Sequence, residues 1–319
     1  MPTPYDWVTG FLDRAGDGLD LDRVNERSPG LDATGAVEAL GDPRLGEHAV
    51  EALTELLHPT DSMCFDAGFG AFHGQTAIRR WLMPRMGAIA DGRVPTAPME
   101  IFGDAETTSS VSEWQMWASV EGERVPMSRG VSIRHHREGW IVWNADVYDT
   151  SPMRRSAAGG EGTHELPEPP QVEWETQPMI TPERSDALEE WLERPPEERG
   201  PIDHADIHTV MITPGLGLDP EIVVPLFHPT DSVLREPHAE LVGAEAIARH
   251  LGARRESRMT ITLESIGVPL FNGDCTAFEW VARVPGAEPP VAVRGTSVCR
   301  YADGLVVAAT DYYDNAATR

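Results

Sequence analysis

Leu57-His58-Pro59-Thr60-Asp61-Ser62 returns in the second half of the chain as Phe227-His228-Pro229-Thr230-Asp231-Ser232. The segments downstream of it return too, in the same order. Gly74-Gln75-Thr76-Ala77-Ile78 has its counterpart in Gly243-Ala244-Glu245-Ala246-Ile247, and Glu113-Trp114 in Glu279-Trp280. Arg129-Gly130-Val131-Ser132 matches Arg294-Gly295-Thr296-Ser297, and the segment from Gly139 to Asp146-Val147-Tyr148-Asp149 matches Gly304 to Asp311-Tyr312-Tyr313-Asp314 without a gap. Ordered self-similarity over this much of a chain is the signature of tandem duplication. The 319 residues therefore read as two copies of one domain, which agrees with their number.

Each copy opens with a Thr-Pro pair suited to a helix start, Thr3-Pro4 and Thr181-Pro182. Residues 151–178 are rich in Gly, Pro and Glu and read as a linker, leaving domains at 1–150 and 179–319. Helical spacing of apolar residues marks Ala49 to Leu57 and Thr76 to Leu82, whereas the later segments alternate with period two. Strands are expected at Met99 to Phe102, Ser110 to Val120, Val125 to His135 and Trp140 to Tyr148, and again at Thr260 to Ile266, Thr276 to Val284, Val291 to Tyr301 and Leu305 to Tyr313. Helices followed by a strand meander predict an α+β fold with an antiparallel sheet in each copy, not a parallel nucleotide-binding sheet.

Composition narrows the partners. With 52 acidic and 26 basic residues the formal charge is −26, which repels phosphate backbones and anionic lipid surfaces. Neither nucleic acid nor membrane is an expected partner. Cys64, Cys275 and Cys299 form no CxxC pair, so a disulfide framework is not expected and a reducing cytoplasm fits best. The stretch from Met1 to Gly16 carries Asp6 and Asp13 without an apolar run, unlike a signal peptide or anchor. The sequence has no phosphate loop, dinucleotide fingerprint or metal-ligand spacing of histidines, so the chemistry is expected to use no cofactor and no metal.

The order of motifs resembles the SnoaL-like branch of the nuclear transport factor 2-like superfamily: a His-Pro segment, a short strand, Gly-x-x-x-Ile opening a helix, then long strands ending in Asp-Tyr-(aromatic)-Asp. That resemblance implies two tandem cone-shaped domains, each a curved antiparallel sheet wrapped around helices and enclosing an apolar pocket. It also implies that the two copies pack as an intramolecular pseudo-dimer, with a homodimer as a further possibility. Relatives include ketosteroid isomerases, polyketide cyclases, scytalone dehydratase and epoxide hydrolases, together with noncatalytic binders. Fold resemblance alone does not choose among these.

Two positions carry over from the family. The functional aspartate of the last strand falls on Asp146 and Asp311, and the acid of the short strand falls on Asp66 and Glu236. These four are the candidate proton-transfer groups. Strand alternation puts Tyr148 beside Asp146 and Tyr313 beside Asp311, and a carboxyl desolvated in an apolar pocket rises toward neutrality, as a general acid or base requires. His73, Glu113 and Trp114 in the first copy, with His238, Glu279 and Trp280 in the second, are candidate substrate contacts. The oxyanion-hole acid of ketosteroid isomerases and the Arg-x-Asp triplet of limonene-epoxide hydrolases have no counterpart at the expected strands. The expectation is thus an acid–base enzyme (cyclase, isomerase, dehydratase or epoxide hydrolase) acting on a lipophilic polyketide-, terpenoid- or steroid-like molecule; the alternative is a noncatalytic protein that sequesters such a ligand. His58 and His228, each before proline, are expected to serve structure by meeting helix-end carbonyls, and Asp61 and Asp231 to sit in turns.

Overall fold

A computed structural model describes residues 57–90, 96–104, 109–120, 123–138, 140–153, 179–180, 183–213, 215–256, 262–284 and 291–314. The Thr-Pro starts, most of the helix proposed at Ala49 to Leu57, residue Gly139 and nearly all of the linker lie outside these residues. The chain divides into two units, Met1–Val172 and Glu173–Arg319.

The first unit contains β1 (Met63–Asp66), β2 (Gly70–His73), α1 (Gln75–Ala90), β3 (Thr96–Asp104), β4 (Ser109–Val120), β5 (Glu123–Arg137) and β6 (Trp140–Tyr148). They form one sheet in the order β2-β1-β6-β5-β4-β3. In the second unit come β7 (Met179–Ile180), α2 (Asp186–Glu193), α3 (His204–Ile212), α4 (Pro220–Val223), β8 (Val233–Glu236), β9 (Ala239–Val242), α5 (Ala244–Glu256), β10 (Thr262–Asn272), β11 (Cys275–Val284), β12 (Val291–Ala302) and β13 (Leu305–Tyr313). Their sheet runs β7-β10-β11-β12-β13-β8-β9, the order of the first unit with one strand added at an edge. The fold class is therefore α+β in both units, and neither sheet closes on itself among the described residues.

One expectation needs correction. The sheets are mixed, because β1 joins β6 in parallel and β8 joins β13 in parallel. The short strand returns beside the last strand in chain order, and a strand reached through helix and meander is free to enter in either direction.

The repeated hexapeptide builds this parallel junction. Leu57 and Phe227 form isolated parallel bridges to Ile141 and Val306, and the backbone N–H groups of His58 and His228 donate to the carbonyls of those same partners at 3.0 and 2.9 Å. The imidazole Nδ1 of His58 accepts the N–H of Asp61 at 3.0 Å, and that of His228 accepts the N–H of Asp231 at 3.1 Å. Both histidines thus close a turn by accepting an amide proton, where the sequence suggested a bond to a carbonyl. The glycine opening each Gly-x-x-x-Ile helix takes a left-handed backbone, φ 75° at Gly74 and 84° at Gly243, and donates its N–H to the carbonyl of Ser62 or Ser232. A side chain at either position is disfavoured by the backbone itself.

In the second unit the helices cover one face of the sheet. Leu188 and Trp191 of α2, Ile207 and Val210 of α3, and Ile247 and Leu251 of α5 pack with Phe278, Trp280, Cys299, Val306 and Ala309 of the sheet. Ser185 caps α2 by accepting the N–H of Leu188 at 2.9 Å and donates to Asp206 of α3, tying the two helices together. Among the described residues no helix is long and apolar enough to cross a membrane.

A contact found in both units fixes the strands at the centre of each sheet. The indole of Trp114 lies across Gly130 and that of Trp280 across Gly295, so closely that a Cβ on either glycine would stand 2.2 or 2.1 Å from a ring carbon. Replacing Gly295 by alanine must displace the ring or the strand, and overpacking of this kind costs about 1–3 kcal/mol. Urea denaturation of the full chain is expected to show Gly295→Ala destabilised by that amount, against a change under about 0.5 kcal/mol for the exposed Gly273→Asn, whose positive φ asparagine tolerates.

Candidate functional site

The cross-strand register arranges one face of each sheet in rows, and in the second unit this is the helix-covered face. In the second unit one row runs Trp280–Gly295–Tyr313, and the next brings Phe278 opposite Ser297 and Ser297 opposite Asp311. In the first unit the same rows read Trp114–Gly130–Tyr148 and Ser112–Ser132–Asp146–Asp66. Period-two alternation makes the members of one row neighbours on one face.

A hydrogen-bonded chain runs down these rows twice. Trp280 Nε1 donates to Ser297 Oγ at 2.9 Å, and Ser297 Oγ donates to Asp311 Oδ1 at 2.6 Å. Trp114 Nε1 donates to Ser132 Oγ at 3.0 Å, and Ser132 Oγ donates to Asp146 Oδ1 at 2.6 Å. An indole N–H can only donate, so the serine oxygen accepts it and its own proton points to the carboxylate. Each last-strand aspartate is therefore held through Oδ1, leaving Oδ2 as the oxygen able to gain and lose a proton.

Around this shared scaffold the two units differ. Beside Asp311 stands Glu236, whose buried carboxylate is approached by Arg254 through one oxygen and by His238 and His250 through the other, at 3.4 and 3.3 Å. The Tyr313 hydroxyl lies 3.4 Å from His238 Nδ1, and its ring leans on Trp280 with centroids 6.0 Å apart. Burial, reinforced by the negative charge of Glu236, lifts the Asp311 carboxyl from 3.8 to about 6; the Ser297 hydrogen bond and the Arg254 charge oppose the rise. Glu236, His238, Trp280, Asp311 and Tyr313 thus form one cluster.

In the first unit Asp66 is fully buried and accepts hydrogen bonds from the Tyr148 hydroxyl at 2.9 Å and from the N–H of Gly68 at 2.8 Å. It anchors the tyrosine and the β1–β2 turn. Asp146 also accepts from Asn144 Nδ2 at 3.1 Å. Asp66, Trp114, Asp146 and Tyr148 come together on this face. His73 does not join them: it is exposed and sits opposite Met63, at the far end of the β1–β2 pair from Asp66.

Glu113 and Glu279 lie on the other face of their sheets. Each sits in register with Val131 or Thr296, one residue out of phase with the Trp–Gly row, and Glu279 makes a buried ion pair with Arg294. For Glu279 burial is relieved by that opposite charge, and on this face neither acid stands beside its aspartate. Ser132, Ser297 and the two glycines were not among the expected residues, although the recurrent Arg-Gly-x-Ser segment displayed them. Asp311 is held by Ser297, while Arg294 of the same neighbouring strand pairs with Glu279 on the other face. Among the described residues no group of three or more His, Cys, Asp or Glu is arranged to hold a metal ion.

The SnoaL-like domain family matches residues 217–309, which lie within the second unit, and the first unit repeats that unit's strand order and its Trp–Ser–Asp chain. Among solved structures, the chain is similar to a hypothetical protein of ketosteroid isomerase-like fold from Catenulispora acidiphila, in complex with trimethylamine, at 24% identity over 34% of this chain and 85% of that one (TM-score 0.30). A candidate polyketide cyclase from Sinorhizobium meliloti shares 20% identity over 33% of this chain and 93% of its own (TM-score 0.28). TerC, co-crystallised with polyporic acid, shares 18% over 38% and 93% (TM-score 0.30). No curated protein matches the chain significantly.

The raised carboxyl makes a thermodynamic prediction. Because the folded-state value of Asp311, about 6, exceeds the ordinary 3.8, the native state binds the extra proton. Its stability must fall as pH rises from about 4 to 6, and the cost is fully present above that window. Asp311→Asn keeps the oxygen that accepts from Ser297 and removes the charge, so it is expected to stabilise the protein by about 1–2 kcal/mol at pH 8 after allowance for residual exposure, and by little at pH 4. Differential scanning calorimetry at both pH values reads the difference, and carboxyl carbon NMR should show the Asp311 midpoint moving down in Glu236→Gln.

Proposed function

We propose that the second unit is a cofactor-independent acid–base catalyst acting on a lipophilic small molecule of polyketide, terpenoid or steroid type. The observation that carries this reading is the Asp311 carboxyl: burial and the Glu236 charge poise it near 6 while Ser297 holds its orientation. A base of that strength is mostly ionised at neutral pH yet returns its proton readily, the compromise general acid–base catalysis requires.

In this scheme Oδ2 of Asp311 removes a proton from the substrate, either from carbon beside a carbonyl or from an attacking hydroxyl or water. The Tyr313 hydroxyl, beside His238, donates a hydrogen bond to the oxygen on which charge develops. The proton held by Asp311 is then returned to the leaving oxygen or to a second carbon. Cyclisation, isomerisation, dehydration and epoxide opening all contain this transfer. Trp280 supplies an apolar wall and keeps Ser297 aimed at the carboxylate.

Deuterium exchange tests the proposal before the natural substrate is known. Enolisable lipophilic ketones, including a Δ5-3-ketosteroid and a tetralone, incubated with the full chain in D2O are expected to gain deuterium at the carbon beside the carbonyl. The rate should rise along a limb near pH 6 and fall by about 10²–10⁴-fold in Asp311→Asn with ligand affinity retained. Binding without exchange across this panel and across metabolites extracted from the producing cells, with Asp311→Asn indistinguishable from wild type, would instead make the protein a sequestering binder.

A further inference from the structure

The row next to the Ser–Asp row differs most between the units. In the second unit it reads Thr276–Cys299–Ala309–Leu234, and it carries no charge because burial pushes the Cys299 thiol up to about 12. In the first unit the same row reads Ser110–Arg134–Asn144–Cys64. A guanidinium thus occupies, in one unit alone, the position next to the aspartate's row, on the sheet face that carries Trp114 and Asp146.

Arg134 is 6% exposed. Its Nε is buried without a hydrogen-bond partner, and no carboxylate lies within ion-pair distance of the guanidinium among the described residues. Asp146 is near enough to favour the charged form, but burial outweighs it and lowers the Arg134 pKa; a guanidinium stays protonated even so. His136, depressed to about 3 chiefly by burial and then by Arg134 itself, remains neutral and offers no compensation. Asn144 is committed as a donor, to Cys64 Sγ at 3.2 Å and to Asp146 Oδ1. A buried guanidinium lacking an acceptor is a costly arrangement that an arriving anion relieves.

We propose that the first unit binds a lipophilic carboxylate through Arg134. A planar, singly charged, two-oxygen group matches the guanidinium fork. A phosphate dianion is a poorer match, since Arg134 is one cation with Asp146 nearby and the chain as a whole is strongly acidic. Trp114 and Tyr148, whose rings lie 5.4 Å apart on the same face, supply the apolar wall against which the body of the molecule packs. This inference is independent of the proton-transfer reading, which concerns the second unit.

The experiment uses the full chain and matched pairs of probes, 2-naphthoate against 2-naphthamide and decanoate against decanamide, with affinity read by calorimetry and by quenching of tryptophan fluorescence. At least one carboxylate is expected to bind on the order of 10- to 100-fold more tightly than its amide, the worth of a charge-assisted hydrogen bond in a desolvated site. Arg134→Met should erase that preference while leaving the amide's affinity, Arg134→Lys should retain a few-fold preference, and Asp311→Asn should leave the preference intact. Equal affinities for acid and amide in both pairs would overturn the proposal, as would a preference that survives Arg134→Met or vanishes in Asp311→Asn. Should Arg134→Met prove unfolded by circular dichroism, the wild-type preference and the Arg134→Lys reduction decide between the same outcomes.

Discussion

An indole ring laid across a residue that has no side chain is the contact on which the rest of each site depends. The ring of Trp280 occupies the space where a Cβ of Gly295 would be, and Trp114 does the same at Gly130. This depth brings the indole N–H level with the next inward-facing residue of the neighbouring strand, two positions on, which is Ser297 or Ser132. A buried N–H requires an acceptor, and meeting that requirement turns the serine hydroxyl toward the aspartate. The Arg-Gly-x-Ser spacing is thus a consequence of strand geometry: glycine and serine must share a face, and only an interval of two permits it.

Much of this was legible in the chain because duplication supplied a control. Recurrence in order pointed to two copies, and alternation placed three of the four long strands of each near their observed limits, whereas the first was read too short, Met99 to Phe102 against Thr96–Asp104 and Thr260 to Ile266 against Thr262–Asn272. It also put Asp146 with Tyr148 and Asp311 with Tyr313 on common faces. What alternation along one strand cannot say is which face is which. Glu113 and Glu279 stand next to Trp114 and Trp280 in sequence, and only the cross-strand register shows that the tryptophans face the aspartates and the glutamates face away. Parallel pairing of β1 with β6 was invisible for a related reason, since direction of entry is settled by tertiary closure and not by local pattern. The histidines of the repeated hexapeptide were correctly read as structural, but their chemistry was inverted, because either ring nitrogen can accept as well as donate.

Repetition also concealed something. Features common to both copies stood out, whereas a residue present in one copy alone drew no attention. Arg134 has Cys299 as its counterpart and Asn144 has Ala309. A comparison that rewards identity passes over such positions, although a duplicated protein is free to change chemistry at them while the Trp–Gly contact keeps the backbone in place.

The electrostatics of the two units derive from those positions. In the second unit the row flanking the Ser–Asp row is neutral, and Glu236 stands near Asp311 with its carboxylate engaged by Arg254 and two histidines. Burial therefore acts on Asp311 with a negative charge in support, and both effects oppose ionisation. In the first unit the short-strand acid is spent on Tyr148 and the turn, and a guanidinium stands in the flanking row. One scaffold consequently presents a carboxyl tuned toward proton exchange in one copy and a buried positive charge in the other. The proton transfer proposed for Asp311 and the anion binding proposed for Arg134 are conflicting demands on adjacent rows of one sheet, and duplication allows each to be met on its own sheet.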